Sequence, residues 1–159
     1  WISDKWGGAR VTHWDTIIMI AATIGAGYFV SLAMQSENPK QYFIPFLLLF
    51  ILLFATTGIG NGSTYRMISK IFRVKGEDAG GAPETMVLMR RQAAGALGII
   101  SSVGAFGGFI VPLAYAWAKS EFGNIQPALQ FYVVFFILLL AVTWFFYIRK
   151  STRMGQVGV

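Results

Sequence analysis

Cysteine is absent from the 159-residue chain, and His13 is its single histidine. The lack of cysteine excludes a disulfide framework and a thiolate metal site. One histidine cannot supply both axial ligands of a haem held by two histidines. The apolar runs contain neither a nucleophile–base pair nor a metal-ligand set, so we expect no catalytic role, no metal and no cofactor.

Charge is also scarce, at 13% of residues, whereas 55% are hydrophobic and the mean hydropathy is +0.59. These values are typical of a membrane protein. Fourteen Phe, five Trp and six Tyr match the aromatic belts of bilayer interfaces. Uncharged runs reach the length of about 20 residues that a spanning helix needs. They predict an all-α membrane protein with four transmembrane helices, at residues 16–34, 43–65, 93–118 and 128–148.

The segments between these spans are polar. Residues 1–15 are interpreted as a glycine-containing loop, and residues 66–90, with the run GEDAGGAP, as a long flexible loop. The basic tail from Arg149 onward is expected to be disordered. Asp15 is expected to cap the first span. His13 beside it is interpreted as an interfacial residue and not as a proton carrier.

Basic residues predict the orientation of the spans. With four spans, eleven of the thirteen Lys and Arg residues lie on one side, and only Lys40 and Lys119 lie on the other. The positive-inside rule then makes both termini of the chain and the central loop cytoplasmic. This asymmetry accounts for the net charge of +6. No surface of basic residues interleaved with stacking aromatics is visible, so we expect no nucleic-acid partner.

The third span carries small residues along one side, and we interpret the rest of the chain as supporting or flanking it. At 100° per residue, one narrow stripe contains Ala94, Gly98, Ser101, Ala105, Gly108 and Pro112. Small residues in membranes usually serve close helix packing, and a lone serine usually bonds its own helix backbone. The pair Ser101 and Ser102 beside Gly98 also favours contact with a small polar ligand, so both interpretations stay open.

The second span has its own cluster of glycines, Gly58, Gly60 and Gly62, which we expect to serve helix packing. No Asp, Glu, Lys or Arg lies in the middle of any predicted span. The chain alone therefore has no proton relay and no counter-charge for a buried ion. A charged substrate needs a cation from elsewhere.

Three segments resemble known transporters. Residues 3–10, SDKWGGAR, resemble the D-[KR]-x-G-G-x-[RK] loop of major facilitator transporters, through Asp4, Lys5, Gly7, Gly8 and Arg10. Residues 57–68, TGIGNGSTYRMI, and 94–112, AGALGIISSVGAFGGFIVP, resemble the tenth and eleventh helices of the nitrate/nitrite porter family, the NarK type. The latter segment is similar to the family's C-terminal nitrate signature. The resemblance runs from Ser3 to about Lys150.

The resemblance implies that residues 1–150 form helices nine to twelve of a twelve-helix major facilitator transporter, and residues 151–159 a cytoplasmic tail. It implies transport of nitrate and/or nitrite by alternating access across a bacterial-type inner membrane. In the family, two arginines on the second and eighth helices clamp the anion, and neither lies in this chain.

Several residue roles follow from the same resemblance. Gly98 and Ser101 match positions that the family places against the anion, and Ser102 stands where an alanine is expected and is added to the candidate contacts. Gly104, Gly107 and Gly108 match glycines that let the helix approach its partner closely and slide.

The chain begins at Trp1, inside the transporter-like loop, so we expect it to be a C-terminal piece of a longer membrane protein. Its expected partners are the anion, the bilayer and the missing N-terminal helices of the same transporter. An alternative is a four-helix membrane anchor or assembly subunit of a larger complex. The sequence leaves anion exchange and proton symport equally open.

Overall fold

The computed structural model describes residues 6–158 of the chain. Within them the four long helices are α1 (Gly8–Gln35), α2 (Phe43–Asp78), α3 (Pro83–Phe122) and α4 (Gln126–Thr143), and α5 (Arg153–Val157) is short. A 3₁₀ turn, Pro39–Tyr42, leads into α2, and a π-helical turn, Trp144–Ile148, extends α4. No strand occurs in this part of the chain. The four long helices are long and apolar enough to cross a bilayer, which confirms the predicted all-α membrane protein.

Helix α1 is the centre of the packing among the described residues. It contacts both α2 and α4, whereas α3 packs mainly on α2. Its buried residues are mostly small: Gly8, Ala9, Val11, Asp15, Thr16, Ala22, Thr23, Ala26 and Gly27. Small side chains let neighbouring helices come close. We expected the other helices to be arranged around α3. This is wrong, because among the described residues they pack around α1.

The α1–α2 crossing brings main chain against main chain. A Cβ atom on Gly8 would lie 2.7 Å from the carbonyl oxygen of Ser63, so only glycine fits at this point of α1. The hydroxyls of Thr12 and Ser63 hydrogen-bond across the same crossing at 2.7 Å. Ser63 is 2% exposed, and its partner helix excludes water from this bond. The two helices are thus joined by close contact and by a buried polar link.

Asp15 takes part in this crossing and does not cap a helix. Helix α1 begins at Gly8, with Gly7 at the N-cap position, so Asp15 lies about two turns inside the helix. Its side chain is 4% exposed. A Cβ atom on Gly60 of α2 would lie 2.6 Å from its Oδ2 atom. The predicted cap is wrong because the helix starts earlier than the apolar run does.

Residues 66–90 are helical over most of their length, so their interpretation as a long flexible loop is wrong. Helix α2 continues to Asp78, and α3 starts at Pro83. Between them the amide of Gly81 donates to the carbonyl of Gly76 at 3.0 Å. Gly80 and Gly81 have φ values of +98° and +65°, which glycine adopts readily, and Pro83 suits the first helical turn.

The two central helices are longer than a bilayer is thick. With 36 and 40 residues, α2 and α3 are about 54 and 60 Å long, against an apolar core of about 30 Å. Their joined ends pack together, since a Cβ atom on Gly76 would lie 2.7 Å from the sulfur of Met86. These ends form a helical hairpin that continues beyond the apolar spans.

The tail is ordered as well, contrary to expectation. Thr152 accepts a hydrogen bond from the amide of Gly155 at 3.2 Å and so caps α5. Met154 packs beside Tyr147 and Ile148 against the buried pair Ala9 and Met67. The fold returns the tail to the start of α1 and the continuation of α2.

The contact between Asp15 and Gly60 gives a stability prediction. Alanine is favoured over glycine inside a helix by about 1 kcal/mol, but the added methyl group would collide with Asp15. We therefore expect Gly60→Ala to destabilise the full-length protein by about 1–3 kcal/mol, as overpacking does. Thermal denaturation in detergent measures the effect.

The matched control removes the Asp15 carboxylate, which would collide with the new methyl group. In an Asp15→Ala background, Gly60→Ala should therefore lower the free energy of unfolding much less. Equal costs in the two backgrounds would show that the two residues are not coupled through this contact.

Candidate anion-contact site

The candidate residues Gly98, Ser101 and Ser102 lie within little more than one turn of α3. All three are exposed within the described bundle. A Cβ atom on Gly98 would meet nothing within 4 Å among the described residues. This part of α3 is therefore an open surface, with space for a ligand or for another helix.

Ser101 is linked to α2 by a hydrogen bond that sequence reasoning missed. Its hydroxyl lies 2.5 Å from the hydroxyl of Tyr65, which is half-buried on α2. A serine hydroxyl has one proton and two lone pairs. The bond to Tyr65 holds the side chain in place, and when Tyr65 is the donor it uses a lone pair of Ser101 and leaves the serine proton for a ligand.

A signal for Tyr65 was present in the sequence. It lies in the transporter-like segment 57–68, and Ser101 lies in the other such segment, 94–112. The structure brings these two segments together at the Tyr65–Ser101 bond. Helical periodicity alone could not show it, because the contact joins residues 36 positions apart.

The hydroxyl of Ser102 makes a different hydrogen bond from that of Ser101. Its hydroxyl donates to the carbonyl of Gly98, one turn earlier in the same helix, at 2.9 Å. Serine commonly satisfies itself in this way inside membrane helices. Ser102 therefore has no proton left to offer in this conformation, and the better candidate for an anion contact is Ser101 with Gly98.

The glycines assigned to packing fall into two groups. Gly60 faces Asp15 of α1 at close range. A Cβ atom on any of the others would meet nothing within 4 Å in the described part of the chain: Gly58, Gly62, Gly104, Gly107 and Gly108. Their packing role stays a prediction about surfaces that these four helices leave open.

The loop motif has clear structural functions where it is described. Gly7 has a φ of +86°, a left-handed conformation that favours glycine. Gly8 makes the close contact with α2, and Arg10 lines a cavity at the same end of the bundle. Asp4 and Lys5 lie outside the described residues.

Gly98, Ser101 and Tyr65 offer a ligand only neutral hydrogen-bonding groups. No charged residue occurs between Arg91 and Lys119 or between Phe43 and Tyr65. Among the described residues, no group of three or more His, Asp or Glu side chains could hold a metal ion. Hydroxyl groups can donate to an oxyanion, but they supply no net charge to balance it.

Known proteins similar to this chain include nitrate/nitrite transporters and probable nitrate/nitrite antiporters. No family model matches the chain. The chain is 36% identical over 158 residues to the nitrate/nitrite transporter NarU of Escherichia coli (strain K12), covering 94% of the chain and 32% of that protein. It is 36% identical over 160 residues to NarU of Salmonella typhimurium (strain LT2), covering 96% and 33%.

A more distant relative is the probable nitrate/nitrite antiporter NarK2 of Thermus thermophilus, with 28% identity over 153 residues, covering 96% of the chain and 30% of the relative. The chain thus spans about a third of the length of the curated relatives it matches. Since the likeness extends over nearly every residue of the chain, the chain belongs to the nitrate/nitrite porter family, the NarK type.

Proposed function

We propose that this chain is part of a carrier that moves nitrate and/or nitrite across a bacterial inner membrane by alternating access. The observation that carries the proposal is the 36% identity to nitrate/nitrite transporters over 94% of the chain. In this proposal α1 to α4 are helices nine to twelve of a twelve-helix major facilitator protein. The relatives favour a carrier over the alternative of a membrane anchor.

The contact between the two transporter-like segments supports the proposed site. Nitrate is planar, is weakly basic and presents three acceptor oxygens, so it binds to fixed donors in a positive potential. The hydroxyl of Ser101 is such a donor when Tyr65 gives its own proton to the bond between them. The bare backbone at Gly98 leaves the space that the anion occupies. Arginines of the helices outside this chain supply the charge.

The open glycines of α3 fit the proposed motion. Gly104, Gly107 and Gly108 present no side chain that could interlock with a partner helix, and none is covered within 4 Å by the described residues. In a carrier whose halves rock about a central site, such a surface lets the opposing helix approach and slide. We assign this surface to contact with the N-terminal half of the same protein.

The orientation follows from charge. The hairpin of α2 and α3 carries Arg66, Lys70, Arg73 and Lys75 on one arm and Arg90 and Arg91 on the other. The positive-inside rule places this hairpin, and both ends of the chain, on the cytoplasmic side.

A first prediction concerns space at the site. Gly98→Leu in the full-length protein should reduce nitrate uptake into proteoliposomes by at least about tenfold, because the leucine side chain fills the anion's place. Nothing described lies within 4 Å of the new Cβ atom, so the packing of α1 to α4 and membrane insertion should be preserved. Unchanged uptake would refute the assignment of Gly98.

A second prediction concerns the hydrogen bond between Tyr65 and Ser101. Tyr65→Phe removes one hydroxyl and should weaken nitrate binding about two- to tenfold, as expected for the loss of one neutral hydrogen bond. Ser101→Ala should have at least the same effect, and the double variant should lose less than the product of the two. The nitrate concentration for half-maximal uptake is the readout.

Ser102→Ala is the matched control for this series. It removes a hydroxyl adjacent to Ser101 whose proton is engaged by the carbonyl of Gly98. Uptake should remain within about twofold of wild type, since that bond is local to the helix. Loss as large as that of Ser101→Ala would move the site toward Ser102 and contradict the role given to Tyr65.

A further inference from the structure

A basic cavity lies at the end of the bundle where α1 begins and α4 ends. It has a volume of about 480 Å³ and is lined by five cationic residues: Arg10, Arg66, Lys70, Arg73 and Lys150. No acidic residue is among its described lining residues. Gly98, Ser101 and Tyr65 do not line it either, so it is separate from the proposed nitrate contact.

The fold brings these cations together from distant parts of the sequence. Arg66, Lys70 and Arg73 recur at intervals of four and three residues and so share one face of α2. Arg10 faces them from the first turn of α1, and Lys150 follows the π-helical turn that ends α4. The positive-inside rule explains why cations lie at this end of the helices. It does not require that five of them surround one cavity.

The described contacts of Lys70 and Arg73 leave the positive charge of these two residues in place. Lys70 donates to the carbonyl of Gly158 at 2.7 Å, a neutral partner that closes the tail over the cavity. Arg73 lies 3.5 Å from Glu77, but both side chains are more than half exposed. Exposed pairs of this kind interact weakly. Lys70 and Arg73 therefore contribute a positive potential to the cavity.

The number of cations indicates the kind of anion. Apart from Arg66, four cationic residues line the cavity, and a single monovalent anion such as nitrate would compensate only part of their charge. A phosphate group presents several acceptor oxygens, which arginine binds through paired N–H groups and lysine as a point charge. The cations Arg10 of α1, Lys70 and Arg73 of α2, and Lys150 after α4 match such a multiply accepting group.

Apolar residues at the same cavity point to the bilayer interface. Trp6, Tyr147 and Ile148 line it beside the cations, and Trp6 is 63% exposed. Tryptophan and tyrosine favour the headgroup level of a membrane. Clusters of Lys and Arg just outside spanning helices attract anionic lipid headgroups.

We propose that this cavity binds a phosphate group, carried by the headgroup of an anionic phospholipid in the adjacent leaflet or by free phosphate. The bound group contacts α1, α2 and the end of α4 together and so fixes their relative positions. The proposal goes beyond nitrate transport and does not depend on it.

The test uses the purified full-length protein in detergent and native mass spectrometry. Three probes are titrated: short-chain phosphatidylglycerol, zwitterionic short-chain phosphatidylcholine, and inorganic pyrophosphate. The cavity variant is Lys70→Gln, Arg73→Gln, Lys150→Gln. The matched control is Lys75→Gln, Arg91→Gln, Arg149→Gln, which removes equal charge from the same end of the bundle at residues that do not line the cavity.

We expect the cavity variant to bind phosphatidylglycerol at least about tenfold more weakly, since one hydrogen bond to a charged group already contributes about tenfold. The control should bind within about twofold of wild type, and phosphatidylcholine should not distinguish the proteins. The same tenfold difference with pyrophosphate, and none with phosphatidylglycerol, would support the phosphate site and assign it to a free anion.

Equal weakening in the cavity variant and the control would show diffuse surface attraction and overturn the proposal, as would the absence of binding by any phosphate probe. If the triple variant does not fold, Lys150→Gln alone replaces it, because this residue lies outside the long helices. It should bind phosphatidylglycerol about tenfold more weakly than Arg149→Gln does, because only Lys150 would hydrogen-bond the phosphate group.

Discussion

The close crossing of α1 and α2 is the constraint on which the rest of the structure depends. At Gly8 the main chains come so near that a methyl group would touch the carbonyl oxygen of Ser63, and at Gly60 one would touch Asp15. Lipid tails are as apolar as leucine, so membrane helices associate through such close contact and through buried polar links. The Thr12–Ser63 bond is a link of this kind. It sets the rotation of α2 and therefore the direction in which Tyr65 and Arg66 point.

Composition was sufficient to predict the number of spanning helices, but it did not predict where each helix begins and ends. Uncharged runs predicted four spanning helices, because the bilayer requires continuous apolar length. Residues outside the bilayer are under no such requirement, so hydropathy could not show that α2 continues to Asp78. The run GEDAGG looked like a flexible loop, yet Gly76 lies inside the helix against Met86 and only Gly80 and Gly81 turn. Asp15 was misjudged for the same reason, since α1 starts at Gly8.

The candidate site was only partly predictable. Gly98 and Ser101 could be selected by resemblance and by their place on a small-residue stripe. Tyr65 also lies in a transporter-like segment, but its contact with Ser101 could not be predicted, because it depends on how α2 and α3 are rotated against each other. Ser102 is adjacent to Ser101 and has the same side chain, and its different hydrogen bond to Gly98 became visible only with coordinates. The sequence pattern therefore located the candidate region, and the structure showed which residues within it have hydroxyl groups in different hydrogen bonds.

The hairpin of α2 and α3 has a mechanical consequence. Both helices are continuous through the predicted membrane boundary, and the one proline inside α3, Pro112, lies in the other half of that helix. The joined ends extend about 15–20 Å past the predicted spans, because residues 66–78 of α2 and 83–92 of α3 lie beyond them. A tilt of about 10° in the membrane, comparable to known subunit rotations, would therefore move the turn at Gly80 and Gly81 by about 3 Å. This turn lies outside the bilayer and moves whenever the two helices tilt within it.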